Sequence, residues 1–140
     1  MGKRMNYFDY AENDYFFYRA NYEEHRIGNA MCSSAQGICE RYLKHLVDIY
    51  CTDEDTTSVL RTHSLRVLKK YISKKMEDFE CDWNAVLGAD GFYFSARYPG
   101  DESFFVDEED VEVCWKAVEE VRRCVMAYCD LHPIEKSPLA

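Results

Sequence analysis

Arg19 and His25, six positions apart in the stretch RANYEEH, are the nearest approach to a catalytic pair in this chain. On an unbroken helix six positions turn through about 600°, which leaves the two side chains roughly 120° apart. They converge only if the helix breaks between them. Left on a helix, Arg19 stands four positions before Glu23 and can form a solvated ion pair worth roughly a few tenths of a kcal/mol. His25 then falls at the helix C-terminus, where a cation is mildly favoured.

A second chemistry is offered by RTHSLRVLKKYISKK, which holds Arg61, Arg66, Lys69, Lys70, Lys74 and Lys75 and no acid. Read as one helix, it places Arg66, Lys70 and Lys74 at four-residue intervals, with His63 within about 60° of all three and the Leu65, Leu68, Ile72 side turned away. Such a strip can receive the phosphates of a nucleotide or an RNA backbone, because ammonium and guanidinium groups supply charge-assisted donors. The bland alternative is a solvated face balancing acidic neighbours, such as residues 101–120 with nine acids and one lysine.

Metal and nucleophile chemistry find little support. Cys124, Cys129 and His132 lie close in sequence, and Cys32 and Cys39 are two turns apart, but no Cys-x-x-Cys or His-Glu-x-x-His occurs. No metal and no cofactor are expected, and most cysteines read as small core residues. There is neither a Gly-x-Ser-x-Gly elbow nor a glycine-rich phosphate loop.

These residues sit in a chain of 140 residues, 47% hydrophobic and 15% aromatic with only 6 Gly and 3 Pro, a composition that favours helices over loops. The expectation is a single domain over residues 1–140, its core at about 7–130 and a tail at 131–140. Seventeen basic against 26 acidic side chains leave a formal charge of −9, so a polyanion is repelled unless positive charge is concentrated locally. Seven cysteines in no framework spacing, and acids at Asp9, Glu12 and Asp14 in place of an apolar leader, point to reduced thiols and a cytoplasmic protein. The longest uncharged run, IGNAMCSSAQGIC, has 13 residues and is too short and too polar to span a membrane.

Four main helices must position the candidates. Ala11, Tyr15, Tyr18 and Tyr22 repeat at helical spacing in a first helix over about 7–24. Ile38, Tyr42, Leu46 and Ile49, beside Cys39 and Leu43, make a wide apolar face on a second. After a polar loop at 51–57, a third is read from Val59 to Lys75, with Thr57 or Thr62 as its cap. Asp82 caps a short turn from Trp83 to Leu87, and the segment with Gly88, Gly91, Pro99 and Gly100 is irregular. The last helix starts at Asp107, with Asp110 three residues on and acids in its first turn, and carries Val111, Val113, Cys114, Val118, Val121 and Val125 as its apolar side to about Cys129. The fold class expected is all-α: an antiparallel four-helix up-down bundle with a short extra helical turn and a long loop before the last main helix.

Three pieces taken together, AQGICERYLKHL, THSL and SARYPG, resemble the HEPN domain, the higher-eukaryote and prokaryote nucleotide-binding helical domain. The matching positions are Ala35, Gln36, Glu40 and Lys44; His63 and Leu65; and Arg97, Tyr98 and Pro99, with Tyr15 and Ala20 fitting the first helix. The likeness runs over residues 14–128. On sequence grounds alone Glu40 and Lys44 are an ordinary i, i+4 salt bridge; their place in the pattern is what lifts them above that.

The resemblance implies a bundle that commonly dimerises. Some members are metal-independent ribonucleases of toxin–antitoxin systems, using an Arg and a His separated by four to six residues from each subunit; others lack the pair and bind nucleotides or accompany a small nucleotidyltransferase. That pair belongs late, beside the fourth helix, where Arg122 and Arg123 here meet no histidine until His132. The expectation is therefore a homodimeric nucleotide- or RNA-phosphate-binding or accessory module, not an enzyme, with a nucleotidyltransferase as partner protein. Its ligand residues would be His63, Arg66, Lys70, Lys74, Arg97, Tyr98 and Lys44. Two alternatives stay open: a ribonuclease using Arg19 and His25, and a purely structural interaction domain.

Overall fold

The first helix, α1 (Tyr7–Glu23), begins where the backbone N–H of Asp9 donates to Asn6 Oδ1 at 2.9 Å and that of Asn6 donates to Asp9 Oδ2 at 3.1 Å, a reciprocal box that satisfies two otherwise orphaned donors. The computed structural model describes residues 5–92, 99–100 and 105–134. Of the expected aromatic stripe, Ala11, Tyr15 and Tyr18 are buried and Tyr22 is half-buried. The helix ends at Glu23, and His25 follows with a φ of 58°.

The second helix, α2 (Asn29–Tyr50), is the spine of the core. Ile38, Cys39, Tyr42, Leu43 and Leu46 are buried as their spacing predicts, while Ile49 is half-buried. Past Tyr50 the single helix expected from Val59 to Lys75 is instead two: α3 (Thr57–Leu60) and α4 (Leu65–Lys75). Ser64, not Thr57 or Thr62, caps α4, its Oγ accepting from the backbone N–H of Val67 at 3.2 Å. Thr62 helps the break, since its Oγ1 accepts from the backbone N–H of Ser64 at 3.1 Å. Leu65 N–H is taken by Asp90 Oδ1 at 2.9 Å. Local side-chain acceptors thus out-compete helical continuation over 61–64.

Asp82 caps α5 (Trp83–Leu87) as expected. The last helix, α6 (Glu108–Leu131), carries the Asp107/Asp110 box with bonds of 3.0 Å and runs two residues past Cys129; of its expected apolar side Val113 is exposed, because it lies about 200° around the helix from Val111. The long segment expected before it lies partly outside the described residues; within it Gly91 takes a φ of 92°, a left-handed conformation that glycine adopts without steric cost.

Pairings between elements give the topology. Phe8 meets His45, Glu12 meets Tyr42 and Asp14 meets Arg41, so α1 and α2 are antiparallel. Glu12 meets Arg122, Tyr15 meets Glu119 and Tyr22 meets Glu112, so α1 and α6 are antiparallel too. The chain climbs back from Glu54, which binds Tyr71 and Lys75, to His63, which meets Gln36 and Glu40. A second return passes from Asp78 beside Tyr128, through Asp82 beside Glu120, to Gly88 beside Val113. Direction therefore alternates at every element, with α3 and α5 riding on the return legs.

One apolar cluster joins all the long helices, from Ala11 and Tyr18 through Leu43, Leu68 and Ile72 to Val118 and Val125. Trp115 of α6 lies against the tyrosines of α1, with ring centroids 4.2 Å from Tyr22 and 6.0 Å from Tyr18. Such stacked pairs add about 1 kcal/mol beyond the area they bury. No strand occurs among the described residues, and no described helix is long and apolar enough to cross a membrane.

Candidate functional site

Gln36, Glu40 and Lys44 recur at four-residue intervals and so share one face of α2. That face meets the 61–64 break rather than the flank of another helix, which is why polar groups are tolerated there. Gln36 Nε2 donates to the His63 carbonyl at 2.6 Å and to Glu40 Oε1 at 3.4 Å. His63 Nδ1 faces Glu40 Oε2 at 3.3 Å, and Lys44 Nζ stands 3.8 Å from the same oxygen. Burial pushes the Glu40 carboxyl above its ordinary value, and the neighbouring imidazole and ammonium offset only part of that. Burial likewise lowers Lys44, against the pull of Glu40. Desolvation thus drives both partners toward their neutral forms.

Glu40 and His63 open onto a cleft of about 920 Å³ between α1 and α2. Its polar wall is built by Asn13, Asn21, Arg26, Ser33 and Arg41. Arg41 pairs with Asp14 at 2.9 Å and lies over Gly37, where an added Cβ would come within 3.2 Å of its Nη1. Arg26 is paired with Glu24 at 3.0 Å. At the apolar end the Tyr18 hydroxyl is buried without a hydrogen-bond partner. The volume falls within the range that small-molecule clefts span, about 300–1,000 Å³.

The sequence candidates fall into separate places. Lys44 is buried, its side chain 9% exposed and directed at Glu40 rather than at solvent. His63 precedes the α4 cap and turns to Glu40, so it does not join the Arg66, Lys70, Lys74 strip; the helical wheel failed because the helix is broken at this point. Arg66, Lys70 and Lys74 are exposed on α4, and none of them lines the cleft. Lys75 is paired with Glu54 at 3.0 Å, so part of the basic run balances the loop after α2 rather than residues 101–120. Arg97 and Tyr98 lie outside the described residues.

Arg19 Nε is 3.6 Å from Glu23, as the i, i+4 spacing predicts, and its guanidinium sits 5.2 Å from the Phe16 ring centre. His25 lies past the helix end, its backbone N–H donating to the Tyr22 carbonyl at 2.9 Å. Neither lines the cleft. Sequence reasoning missed Arg26 and Arg41 as a pair facing one cavity; Arg41, next to Glu40 but about 100° around the helix, carries no spacing signal of its own.

The fold is an all-α bundle whose second helix buries a Gln, a Glu and a Lys against a histidine from a helix break, at the edge of an arginine-bearing cleft. The family model for the HEPN domain matches residues 6–128, and the chain belongs to the HEPN family. No curated protein and no solved structure matches it.

Proposed function

We propose that this HEPN domain is a nucleotide- or RNA-phosphate-binding module that works without cleaving its ligand, and that the cleft between α1 and α2 is where the phosphate is held. The observation that carries this reading is the placement of Arg26 and Arg41 on one cavity of about 920 Å³ in a chain of formal charge −9. A guanidinium has five N–H donors, more than one carboxylate uses, so Arg41 can keep Asp14 and still receive a phosphate oxygen. Tyr18 and Phe17 line the same space and offer apolar surface for a base. The exposed Arg66, Lys70 and Lys74 would extend the positive surface for a longer polyanion. Homodimerisation and pairing with a nucleotidyltransferase belong to the same proposal, as expectations from the family.

A nucleotide panel read by melting temperature tests it. A ligand at 100 times its dissociation constant stabilises by roughly 2.7 kcal/mol. The expected result is a rise with at least one nucleotide that Arg41→Glu removes and Lys70→Glu leaves in place. No shift across the panel, together with no RNA retention at low salt, overturns it. RNA cleavage in chelator that disappears on His25→Ala would establish the ribonuclease alternative instead.

A further inference from the structure

Cys81, Glu120 and Cys124 form the group, among the described residues, in which three metal-binding side chains converge: their ligand atoms all lie within 4.8 Å of one another. The residues come from two segments. Glu120 and Cys124 are one helical turn apart on α6, and Cys81 stands just before α5. Cys124 is buried, and Cys81 and Glu120 are partly so.

We propose that these three side chains are a binding site for a zinc ion, with two thiolates and one carboxylate as ligands and a fourth position open to water. Zinc bonds of about 2.3 Å to sulfur and about 2.1 Å to oxygen place tetrahedral ligand atoms roughly 3.3–3.8 Å apart. The ligand atoms, no more than 4.8 Å apart, would have to draw together by at most about 1 Å to hold one ion. Cys124 Sγ is already 3.2 Å from Glu120 Oε2. Paired thiolates select zinc over magnesium or calcium, which take oxygen donors. Binding converts both thiols to thiolates and releases their two protons to solvent; no electron is transferred.

The surroundings fix the ligands. The backbone N–H of Asp82 donates to Glu120 Oε2 at 2.8 Å, which ties the segment bearing Cys81 to the carboxylate. Such hydrogen bonds to a ligating group orient it for the metal. Arg123 Nη2 reaches Glu120 Oε1 at 2.7 Å and Cys124 Sγ at 3.5 Å, and so offsets the carboxylate charge that the site carries before a metal arrives. Its side chain is 69% exposed and has room to swing outward when a cation takes over that role. Glu120 and Arg123 also line an open surface cleft of about 730 Å³ that runs along α6 and touches α5 at Ala85, so the carboxylate ligand is reachable from solvent.

The test is a titration of the reduced, metal-free full chain with cobalt(II), which replaces zinc and reports thiolate ligation by a charge-transfer absorption. The expected result is uptake of one metal per chain with that band, bleached by one equivalent of zinc. Cys81→Ser and Cys124→Ser each remove the band and Cys129→Ser keeps it, with far-ultraviolet circular dichroism confirming the fold of each. Glu120→Gln, which keeps both thiols, weakens zinc affinity by roughly ten-fold or more. The proposal is overturned by a wild-type chain that gives no thiolate band, or by a band that survives both serine substitutions. It is equally overturned if the cysteines form a disulfide, read as loss of two hydrogens in intact mass, and the re-reduced chain still takes up no metal. None of these outcomes touches the nucleotide reading, which is scored by a different ligand at a different cleft.

Discussion

Glu40 and His63 face each other at 3.3 Å across 23 positions of sequence, and Lys44 shares the same carboxylate oxygen at 3.8 Å. A carboxylate buried in this way faces three polar groups from two segments, Gln36 and Lys44 of α2 and His63 of the break before α4. Glu40→Ala should cost about 3 kcal/mol, because the Lys44 ammonium, 9% exposed, is left buried without its counter-charge. Glu40→Gln should cost less, about 2 kcal/mol, since its amide oxygen still accepts a hydrogen bond although the counter-charge to Lys44 is lost in both variants. Denaturant midpoints at constant m-value check both, and equal losses would remove Glu40 from this role.

His45 supplies a dependence of stability on pH. Burial lowers its pKa below the ordinary 6.5, against the pull of Asp48 and Asp9, and its Nδ1 has no partner. The unfolded chain therefore binds this proton before the native one does, so stability rises with pH through the window just below 6.5 and is lost on acidification. Glu40 runs the other way: its raised pKa makes its contribution fall as pH climbs above the ordinary 4.5. The expected outcome is that His45→Leu, which keeps contact with Phe8, flattens the stability profile between about pH 5 and about pH 7 relative to wild type. An unchanged profile would contradict the buried, neutral imidazole.

Arg122 holds α6 to α1. Its Nε donates to Glu12 Oε1 at 2.8 Å and its Nη2 to Oε2 at 3.2 Å, while its guanidinium carbon lies 4.2 Å from the Tyr15 ring centre. Burial works to raise the Glu12 carboxyl, but the bonds from Arg122 and from Tyr42 outweigh it and hold the group below its usual value. Arg122→Ala should cost about 2 kcal/mol and Arg122→Lys about 1 kcal/mol, since lysine keeps the charge and loses the two-pronged geometry. A double-mutant cycle with Glu12→Gln should show coupling, and additive losses would refute it.

Gly88 makes room for α6. A Cβ there would come 2.7 Å from Val113 Cγ1 and 3.2 Å from the Ala85 carbonyl oxygen. Gly88→Ala should destabilise by about 1 kcal/mol, and most of that should be recovered in the Gly88→Ala, Val113→Ala double variant. Thermal melts of the three chains measure it.

The helices that pack by one continuous stripe were legible in the sequence. Tyr15 and Tyr18 on α1, Ile38, Tyr42 and Leu46 on α2 and Val111, Cys114, Val118, Val121 and Val125 on α6 are inside because they recur at the helical period, whereas Val113 falls off that stripe; Asp107 with Asp110 marks its helix start outright. Reading one helix from Val59 to Lys75 was wrong because apolar spacing continues across Ser64 while its hydroxyl, Thr62 and Asp90 draw the backbone out of the helix. That error displaced His63 from the group it joins. Gln36, Glu40 and Lys44 could be put on one face by counting, but not what that face meets, since the partner comes from another segment. Cys81 and Cys124 are a stronger case: 43 positions separate them, and only the return leg through α5 brings them together.

Trp115, layered against Tyr22 at a centroid distance of 4.2 Å and an interplanar angle of 7°, gives the α1–α6 seam an optical gauge. The chain has only 2 tryptophans, and Trp83 sits elsewhere, beside Phe79. In a Trp83→Phe background the indole emission comes from this seam alone. Peeling of α1 from the bundle would register as a change in colour and intensity before the remaining helices melt, so the order in which the molecule comes apart can be followed in a fluorimeter without any added label.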